Sequence, residues 1–179
     1  MREDACMMFY ITRLKNRVIA KVITSLPALA KGFIEAYKPW ESEGIPWTTV
    51  EKPLAKSTVA IVTTAGVHRK DQQAFNMRDK IGDPSFREID GNTTVRDLMI
   101  THDYYDHTDA ERDLNIVFPI ERLREFASEG IISKVAETHY SFMGHIMGPH
   151  IYTLMEVNAP EVAARLKKQK VDYVLLTPG

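Results

Sequence analysis

The run of residues 58–64, Thr-Val-Ala-Ile-Val-Thr-Thr, constrains the fold of this chain more than any other segment. It is β-branched or apolar throughout and lacks the alternation of a strand that is exposed on one face. Such a run predicts a strand buried on both faces, as in a parallel sheet. The next residues, Ala65-Gly66-Val67-His68, predict a turn that leaves the sheet.

Further along the chain, predicted strands alternate with predicted helices. Short apolar runs indicate strands at residues 97–101, 115–118, 131–136 and 171–176. Helical spacing indicates helices at residues 119–130 and 144–170, the second with a break near Pro160. Residues 69–91 show little periodicity and are expected to form an ordered loop. The pattern predicts an α/β fold with a mostly parallel, Rossmann-like sheet flanked by helices.

The first fifty residues have a different character. Residues 9–37 show helical spacing, with a kink or split expected at Pro27. Residues 38–47 contain two prolines, a glycine and two tryptophans, and are expected to form an extended linker that packs on the main body. The sequence therefore predicts a helical arm and linker in residues 1–50 and an α/β domain in residues 51–179.

Charge and cysteine content argue against several classes of protein. A net charge of −1 predicts no electrostatic attraction to nucleic acid or to acidic membranes. No apolar run reaches the roughly 18 residues of a membrane helix, and the charged first residues lack the apolar core of a signal peptide. The single cysteine, Cys6, has no internal disulfide partner, so a reducing cytoplasm is the expected compartment.

Three segments that follow predicted strands carry candidate site residues: 63–68, 139–145 and 177–179. Ligands of open α/β sheets bind beyond the carboxyl ends of the strands, so these segments are expected to converge on one edge. Gly66 would let backbone amides approach an anion, although a tight turn explains the glycine equally well.

The densest group of polar residues is 101–109, Thr-His-Asp-Tyr-Tyr-Asp-His-Thr-Asp. It would suit a divalent metal or a general acid and base, although turn-forming hydrogen bonds explain the same residues. No standard metal motif is present, so we expect an active-site role without a metal. Two weaker candidates are Ser141 beside His139 or His145, which lacks the elbow motif of a hydrolase, and Arg87, which would bind a carboxylate or form an ordinary ion pair.

Residues 177–179, Thr-Pro-Gly, form a strand-to-loop turn. A helix that covers the sheet is expected to follow such a turn, because the final strand otherwise leaves apolar surface uncovered. From the residues alone, a truncated chain and a natural end on a strand are equally open.

Several blocks, in order along the chain, carry a resemblance to one family: residues 45–48, 62–68, 82–87, 101–107, 115–123, 139–145 and 174–179. Together they resemble the selenoprotein B subunit of the glycine/betaine/sarcosine/D-proline reductase family over residues 27–179. Several separate blocks in the right order make this resemblance more specific than any single motif.

The resemblance implies reductive cleavage of the C–N bond in a small amino acid or its N-methylated form, by a selenolate or thiolate that attacks the α-carbon. The family places this selenocysteine or cysteine directly after the Thr-Pro-Gly turn, so it is expected just after Gly179. A selenocysteine codon taken as a stop would end the chain there, truncated and inactive alone, with no cofactor of its own. The implied partners are other reductase subunits or a thiol reductant, and an oligomer is expected.

The motif positions also imply the site. The expected catalytic residues are His68, His102, Asp103, Asp106, His107, His139 and His145. The expected substrate-binding residues are Thr64, Gly66, Arg87, Tyr140, Ser141, Thr177 and Gly179. Two other functions stay open: a metal-dependent hydrolase built on residues 102–109, and a non-catalytic scaffold subunit.

Overall fold

The computed structural model describes residues 2–26, 31, 44 and 48–179. The helices are α1 Arg2–Ser25, α2 Thr108–Arg112, α3 Ile120–Ser128, α4 Pro149–Thr153 and α5 Ala159–Lys168. The strands are β1 Thr58–Thr63, β2 Val67–Arg69, β3 Phe86–Asp90, β4 Leu98–Ile100, β5 Lys134–Val135, β6 Thr138–Phe142 and β7 Tyr173–Thr177. A π-helical segment, Leu154–Asn158, joins α4 to α5. The predicted kink at Pro27 lies outside the described residues, as does the predicted linker except for Gly44.

Strand β1 is the centre of the main sheet. On one side it pairs in parallel with β7, from Val59 beside Tyr173 to Thr63 beside Thr177. On the other side it pairs in parallel first with β5 and then with β6, and β3 is antiparallel to β6. Strands β2 and β4 form a separate antiparallel pair. Because β1, β5, β6 and β7 run in the same direction, their carboxyl ends lie at one edge of the sheet.

The apolar sequence of β1 is explained by burial on both faces. On one face, Ala60 belongs to an apolar cluster with Tyr140 and Phe142 of β6 and with Val162 and Leu166 of α5. Full burial of a valine or leucine side chain contributes roughly 1.5–3 kcal/mol, so these two contacts hold α5 against the sheet.

The α/β class and the mostly parallel sheet are confirmed, and the sheet is mixed because β3 is antiparallel. The predicted strands at 58–64, 97–101 and 171–176 are confirmed as β1, β4 and β7. The predicted helix at 119–130 is confirmed as α3, and the break expected near Pro160 corresponds to the π-helical segment just before it. Rossmann-like connectivity stays a prediction.

The predicted strand at residues 115–118 is wrong. The Asp113 carboxylate accepts a hydrogen bond from the Asn115 amide (3.0 Å), and the Asn115 side chain donates to Glu121 (2.8 Å). These bonds close a 3₁₀ turn at Leu114–Ile116. Asparagine and aspartate offer the backbone such local alternatives to a strand ladder, and here they outweigh the apolar residues.

Three other segments differ from their prediction. Residues 69–91, expected to be a loop, contain the end of β2 and all of β3. The strand expected at 131–136 shrinks to β5, and residues 139–145, expected to follow a strand, begin inside β6. The sequence of β6, Thr-His-Tyr-Ser-Phe, is too polar to be recognised as a buried strand. Its polar side chains His139 and Ser141 are nevertheless buried.

The chain divides into two compact units: Met1–Pro53 with Asp103–Asp106, and Leu54–His102 with His107–Gly179. In the first unit, Arg13 of α1 donates two hydrogen bonds to the Asp103 carboxylate, of 2.6 and 3.0 Å. The second unit contains the whole sheet. No helix in the described part of the chain has the length and apolar character needed to cross a membrane.

Candidate active site

Hydrogen bonds join the carboxyl ends of β1, β6 and β7. The Thr64 amide donates to the Thr177 carbonyl (3.0 Å), and the Gly144 amide donates to the Thr64 carbonyl (2.8 Å). The Gly179 amide donates to Thr64 Oγ1 (3.2 Å). The structure therefore brings together the three segments expected at one edge of the sheet, with Thr64 at their centre.

Thr64, Gly144 and Gly179 form the exposed rim of this edge, which we call the carboxyl-edge cluster. A Cβ added to Gly179 would lie 2.4 Å from Ala65 Cα, and one added to Gly144 would lie 3.0 Å from the Thr64 carbonyl oxygen. Glycine is therefore needed at position 179, and a side chain at position 144 would require the Thr64 loop to shift slightly. The expected site did not include Gly144, although a glycine shortly after a strand at this edge is a usable signal.

Gly66 explains how the neighbouring loop approaches the same edge. It has a φ of +70°, and a Cβ there would lie 2.5 Å from the Thr101 carbonyl oxygen and 3.1 Å from His102 Cβ. Its amide donates to the Phe142 carbonyl (2.9 Å), and its carbonyl accepts from the Thr101 amide (2.9 Å). The amide that was expected to approach an anion is thus already engaged.

His68 is buried and hydrogen-bonded through both ring nitrogens. Nδ1 lies 2.8 Å from the Arg69 carbonyl oxygen, which only accepts, so Nδ1 carries the proton. Nε2 then accepts from the Thr101 hydroxyl, at 2.8 Å. Burial is the largest cause that lowers the pKa of His68. This neutral imidazole links β2 to the end of β4 and has no nitrogen left for a substrate.

His139 of β6 is fully buried and completes the hydrogen bonding of β1. The ladder on this side of β1 is interrupted between β5 and β6, and His139 Nδ1 accepts a hydrogen bond from the Ile61 amide (2.9 Å). Nε2 therefore carries the proton, and it has no hydrogen-bond partner among the described residues. The ring packs edge-to-face against Phe118, with centroids 5.8 Å apart. Burial lowers the pKa of His139 to about 4.

Tyr140 and Ser141 are both buried and lie on opposite faces of β6. The Tyr140 hydroxyl accepts from Gln169 Nε2 (3.3 Å) beside a cleft at the amino ends of the parallel strands, and burial raises its pKa. Among the described residues, Ser141 Oγ has only a long contact, 3.5 Å, to the Phe142 carbonyl. Neither hydroxyl belongs to the exposed rim.

His145 differs from the other expected catalytic histidines because it is partly exposed. It follows Gly144 directly, and its Nε2 lies 3.2 Å from the Lys80 carbonyl oxygen. His68, His102, His107 and His139 are all buried. The hydroxyl of Thr177, expected to bind substrate, instead donates to the Val117 carbonyl (2.7 Å).

Several polar side chains in 102–109 lie against other side chains of this chain. His107 Nδ1 lies 2.8 Å from Glu111 Oε1, and Asp109 pairs with Arg112 at 3.1 Å. Asp103 and Asp106 belong to the N-terminal unit, where Asp103 binds Arg13. The described residues contain no group of three or more His, Cys, Asp or Glu side chains placed to hold a metal. The geometry therefore gives the metal-dependent hydrolase no support.

Arg87 fastens the loop that precedes it. Its guanidinium donates to the carbonyls of Gln73 (2.7 Å) and Ala74 (3.1 Å) and to Ser85 Oγ (2.9 Å). It also stacks over the Phe75 ring, 4.3 Å from the centroid. Most of its donors are used inside the loop, so binding of a substrate carboxylate by Arg87 stays a prediction without geometric support.

Replacing Arg87 with lysine is expected to lower the free energy of unfolding by about 2 kcal/mol, because an ammonium group cannot reproduce the planar set of donors. Urea denaturation measures the loss, and limited proteolysis within residues 70–86 shows whether the loop has loosened. The matched control is Arg96→Lys, at an exposed position, with an expected change within about 0.5 kcal/mol. Equal stability of the two variants would contradict the fastening role.

Residues 8–179 match the family of glycine/sarcosine/betaine reductase selenoprotein B, and the chain belongs to that family. It is 44% identical over 133 residues to the D-proline reductase subunit gamma of Acetoanaerobium sticklandii, covering 74% of this chain and 53% of the relative. It is 32% identical over 132 residues to the betaine reductase complex component B subunit beta of Peptoclostridium acidaminophilum, covering 70% and 29%.

A third relative is the glycine reductase complex component B subunit gamma of Symbiobacterium thermophilum, 29% identical over 167 residues, or 90% of this chain and 38% of the relative. The chain thus spans about half or less of the length of these curated relatives. No solved structure matches the chain. The family is that of subunits of reductase complexes, and it includes relatives named for glycine, betaine and D-proline.

Proposed function

We propose that this chain belongs to a reductase subunit that cleaves the C–N bond of glycine, betaine, sarcosine or D-proline at the carboxyl-edge cluster. The observation that carries the proposal is the meeting of Thr64, Gly144 and Gly179 at an exposed edge of a mostly parallel sheet. D-proline ranks first among the four substrates, because the relative that is 44% identical is named for it.

The proposed nucleophile is a selenocysteine or cysteine next to Gly179. Its selenolate or thiolate forms a bond to the α-carbon as the C–N bond breaks, and the amine leaves with the bonding electrons and takes up a proton. A dithiol, free or on another subunit, then supplies two electrons: the bond from the α-carbon to selenium or sulfur breaks, the carbon takes up a proton, the dithiol becomes a disulfide, and the nucleophile is restored. Position supports this assignment, because Gly179 is exposed and held by Thr64 at the end of a parallel strand.

Two side chains of this chain have proposed roles in that step. Thr64 Oγ1 accepts from the Gly179 amide and keeps its own proton, which it can donate to a substrate carboxylate. His145, the partly exposed histidine beside Gly144, is the proposed proton donor to the leaving amine. The buried histidines hold the scaffold around these two groups.

The test uses the full natural protein, assembled with its reductase partners and supplied with a dithiol. We expect loss of one of the four substrates, giving a ring-opened amino acid from D-proline or a free amine from the others. Thr64→Val should lower kcat by at least about tenfold, while the free energy of unfolding changes by less than about 1 kcal/mol. The matched control is Thr138→Val, at the opposite end of β6, which should keep full activity.

Full activity of Thr64→Val would show that the reaction takes place elsewhere. An assembled complex that consumes none of the four substrates would favour the scaffold function instead.

A further inference from the structure

A cleft of about 480 Å³ lies at the amino ends of β1, β5 and β6, beside the carboxyl end of α5. It is at the opposite end of β1 and β6 from the carboxyl-edge cluster, and all of its lining residues belong to the unit that contains the sheet. Its size is within the roughly 300–1,000 Å³ of small-molecule sites. Four cations and two carboxylates line it, which leaves a formal net charge of +2 on a chain whose net charge is −1. The cleft therefore suits a small anion.

The cations of the cleft fall into two groups. The Arg165 guanidinium is occupied, because it donates to the carboxylates of Glu88 and Glu161. Three further cations are exposed and form no ion pair in the described part of the chain: Lys134, Lys168 and Lys170. The planar fork of arginine suits a carboxylate, whereas lysine binds phosphate as a point charge. Because the cations that are left over are all lysines, they favour a phosphate group over a carboxylate.

The end of α5 does not itself account for its lysines. Lysines in the last turn of a helix commonly interact with its unpaired carbonyl groups. Here the carbonyls of residues 165–167 accept hydrogen bonds of 3.0–3.1 Å from the backbone amides of residues 169–171. This turn places Lys170 at a φ of +57°, where glycine is the usual residue, and no other non-glycine residue of the described part has a positive φ. A lysine at such a strained position points to a role for its ammonium group.

Tyr140 supplies a buried proton donor to the same cleft. The Thr138 amide donates to Gln169 Oε1 (3.1 Å), so the NH₂ group of Gln169 faces Tyr140 and donates to its hydroxyl (3.3 Å). The hydroxyl therefore keeps its own proton, for which the described residues provide no acceptor. Burial raises the pKa of Tyr140, so the group is protonated at neutral pH. An oxygen atom of a ligand would satisfy this buried O–H.

We propose that this cleft binds a phosphate group, free or carried by a small molecule. Three ammonium groups and the Tyr140 hydroxyl donate to the phosphate oxygens. The formal charge of +2 balances the charge of about −1.5 to −2 on a phosphate monoester at neutral pH. Binding here needs neither the reductase partners nor the carboxyl-edge cluster, so its failure would leave the proposed reaction untouched.

Isothermal titration calorimetry of the wild-type chain tests the proposal with phenyl phosphate, and with benzoate as the carboxylate on the same ring. Phenyl phosphate should bind at least about tenfold more tightly than benzoate, and its affinity should fall as salt is added. Inorganic phosphate then distinguishes the two sources. Weaker binding of inorganic phosphate than of phenyl phosphate would identify a phosphorylated small molecule as the ligand, and equal binding would identify free phosphate.

Two variants locate the phosphate. Lys170→Gly removes an ammonium group and relieves the strained φ, so it should weaken binding of phenyl phosphate at least about fivefold without lowering the urea midpoint. Tyr140→Phe removes the buried proton donor and should weaken binding by a similar factor. The matched control is Lys167→Ala, in the same turn of α5 but outside the lining of the cleft, which should keep wild-type affinity.

Four results would overturn the proposal. Equal binding of phenyl phosphate and benzoate would mean that the cleft does not select phosphate. Absence of saturable binding of phenyl phosphate and of inorganic phosphate at millimolar concentration would mean that it binds neither. Wild-type affinity in both Lys170→Gly and Tyr140→Phe would place the phosphate elsewhere. An equal loss of affinity in Lys167→Ala would indicate attraction to the overall charge of α5 rather than a site.

Discussion

Replacing Gly66 with alanine is expected to lower the free energy of unfolding by about 3 kcal/mol. Alanine at a φ of +70° costs about 1–2 kcal/mol, and its Cβ would lie 2.5 Å from the Thr101 carbonyl oxygen, adding about 1–3 kcal/mol of overpacking. Neither the Gly66 loop nor the end of β4 can yield easily, because the backbone bonds of Gly66 to Phe142 and Thr101 hold them together. Urea denaturation followed by circular dichroism measures the loss.

Gly130 provides the matched control for this variant. It has a φ of +73°, close to that of Gly66, but an added Cβ there meets nothing within 4 Å. Gly130→Ala should therefore cost only the conformational part, about 1 kcal/mol. If Gly66→Ala and Gly130→Ala lowered the free energy of unfolding equally, the close approach of Gly66 to the Thr101 backbone would contribute nothing to the loss of stability.

Acidification is expected to destabilise the fold through His139 by roughly 3 kcal/mol. Burial lowers the pKa of His139 to about 4 from the usual 6.5. Between these values the unfolded chain binds a proton that the folded chain does not bind, so the free energy of unfolding falls as the pH falls. Stability from this group is full above about pH 6.5 and is lost progressively down to about pH 4. His68 contributes in the same direction.

Two variants separate the titration of His139 from its hydrogen bond to Ile61. His139→Asn places an amide oxygen near the position of Nδ1 and cannot titrate, whereas His139→Leu removes the acceptor as well. Both should show a shallower pH dependence of the urea midpoint than the wild type, and the leucine variant should also be less stable at neutral pH by about 1–3 kcal/mol. A wild-type slope retained in both variants would assign the pH dependence to other groups.

Strand β1 and helix α3 could be predicted because local and tertiary forces agree in them. The buried run of β1 is β-branched or apolar at every position, and α3 begins after Pro119 and ends before Gly130. The final strand was predictable for the same reason as β1. Where composition, periodicity and end signals all indicate the same element, tertiary contacts favour that element too, and the prediction from sequence is correct.

Strands β3 and β6 were missed because their stability comes from contacts that local sequence does not encode. His139 is a strand residue only because its imidazole accepts the Ile61 amide, 78 positions away in the chain. β3 is held by its antiparallel pairing to β6, including Ile89 beside His139. A polar sequence buried by long-range hydrogen bonds resembles a loop until its partners are known.

In the candidate site, the edge of the sheet at which the loops converge was more predictable than the orientation of the side chains. Parallel strands bring their carboxyl ends to one edge whatever their sequence, so the contacts among Thr64, Gly144 and Gly179 follow from topology. Which way a histidine points depends on strand pairing and on the length of each loop. For this reason His68 and His139, expected in the pocket, are buried with backbone partners instead.

The π-helical segment has a consequence for chain length. Leu154 packs on the same cluster as Val162 and Leu166, although intervals of eight and twelve residues would turn these side chains by about 80° and 120° away from Leu154 on a plain α-helix. The π-turn takes up one additional residue and brings the three back into line. A chain with one residue fewer in 154–158 would give intervals of seven and eleven, which suit an uninterrupted α-helix. Homologues that differ by this single deletion can therefore keep the same sheet and the same apolar cluster.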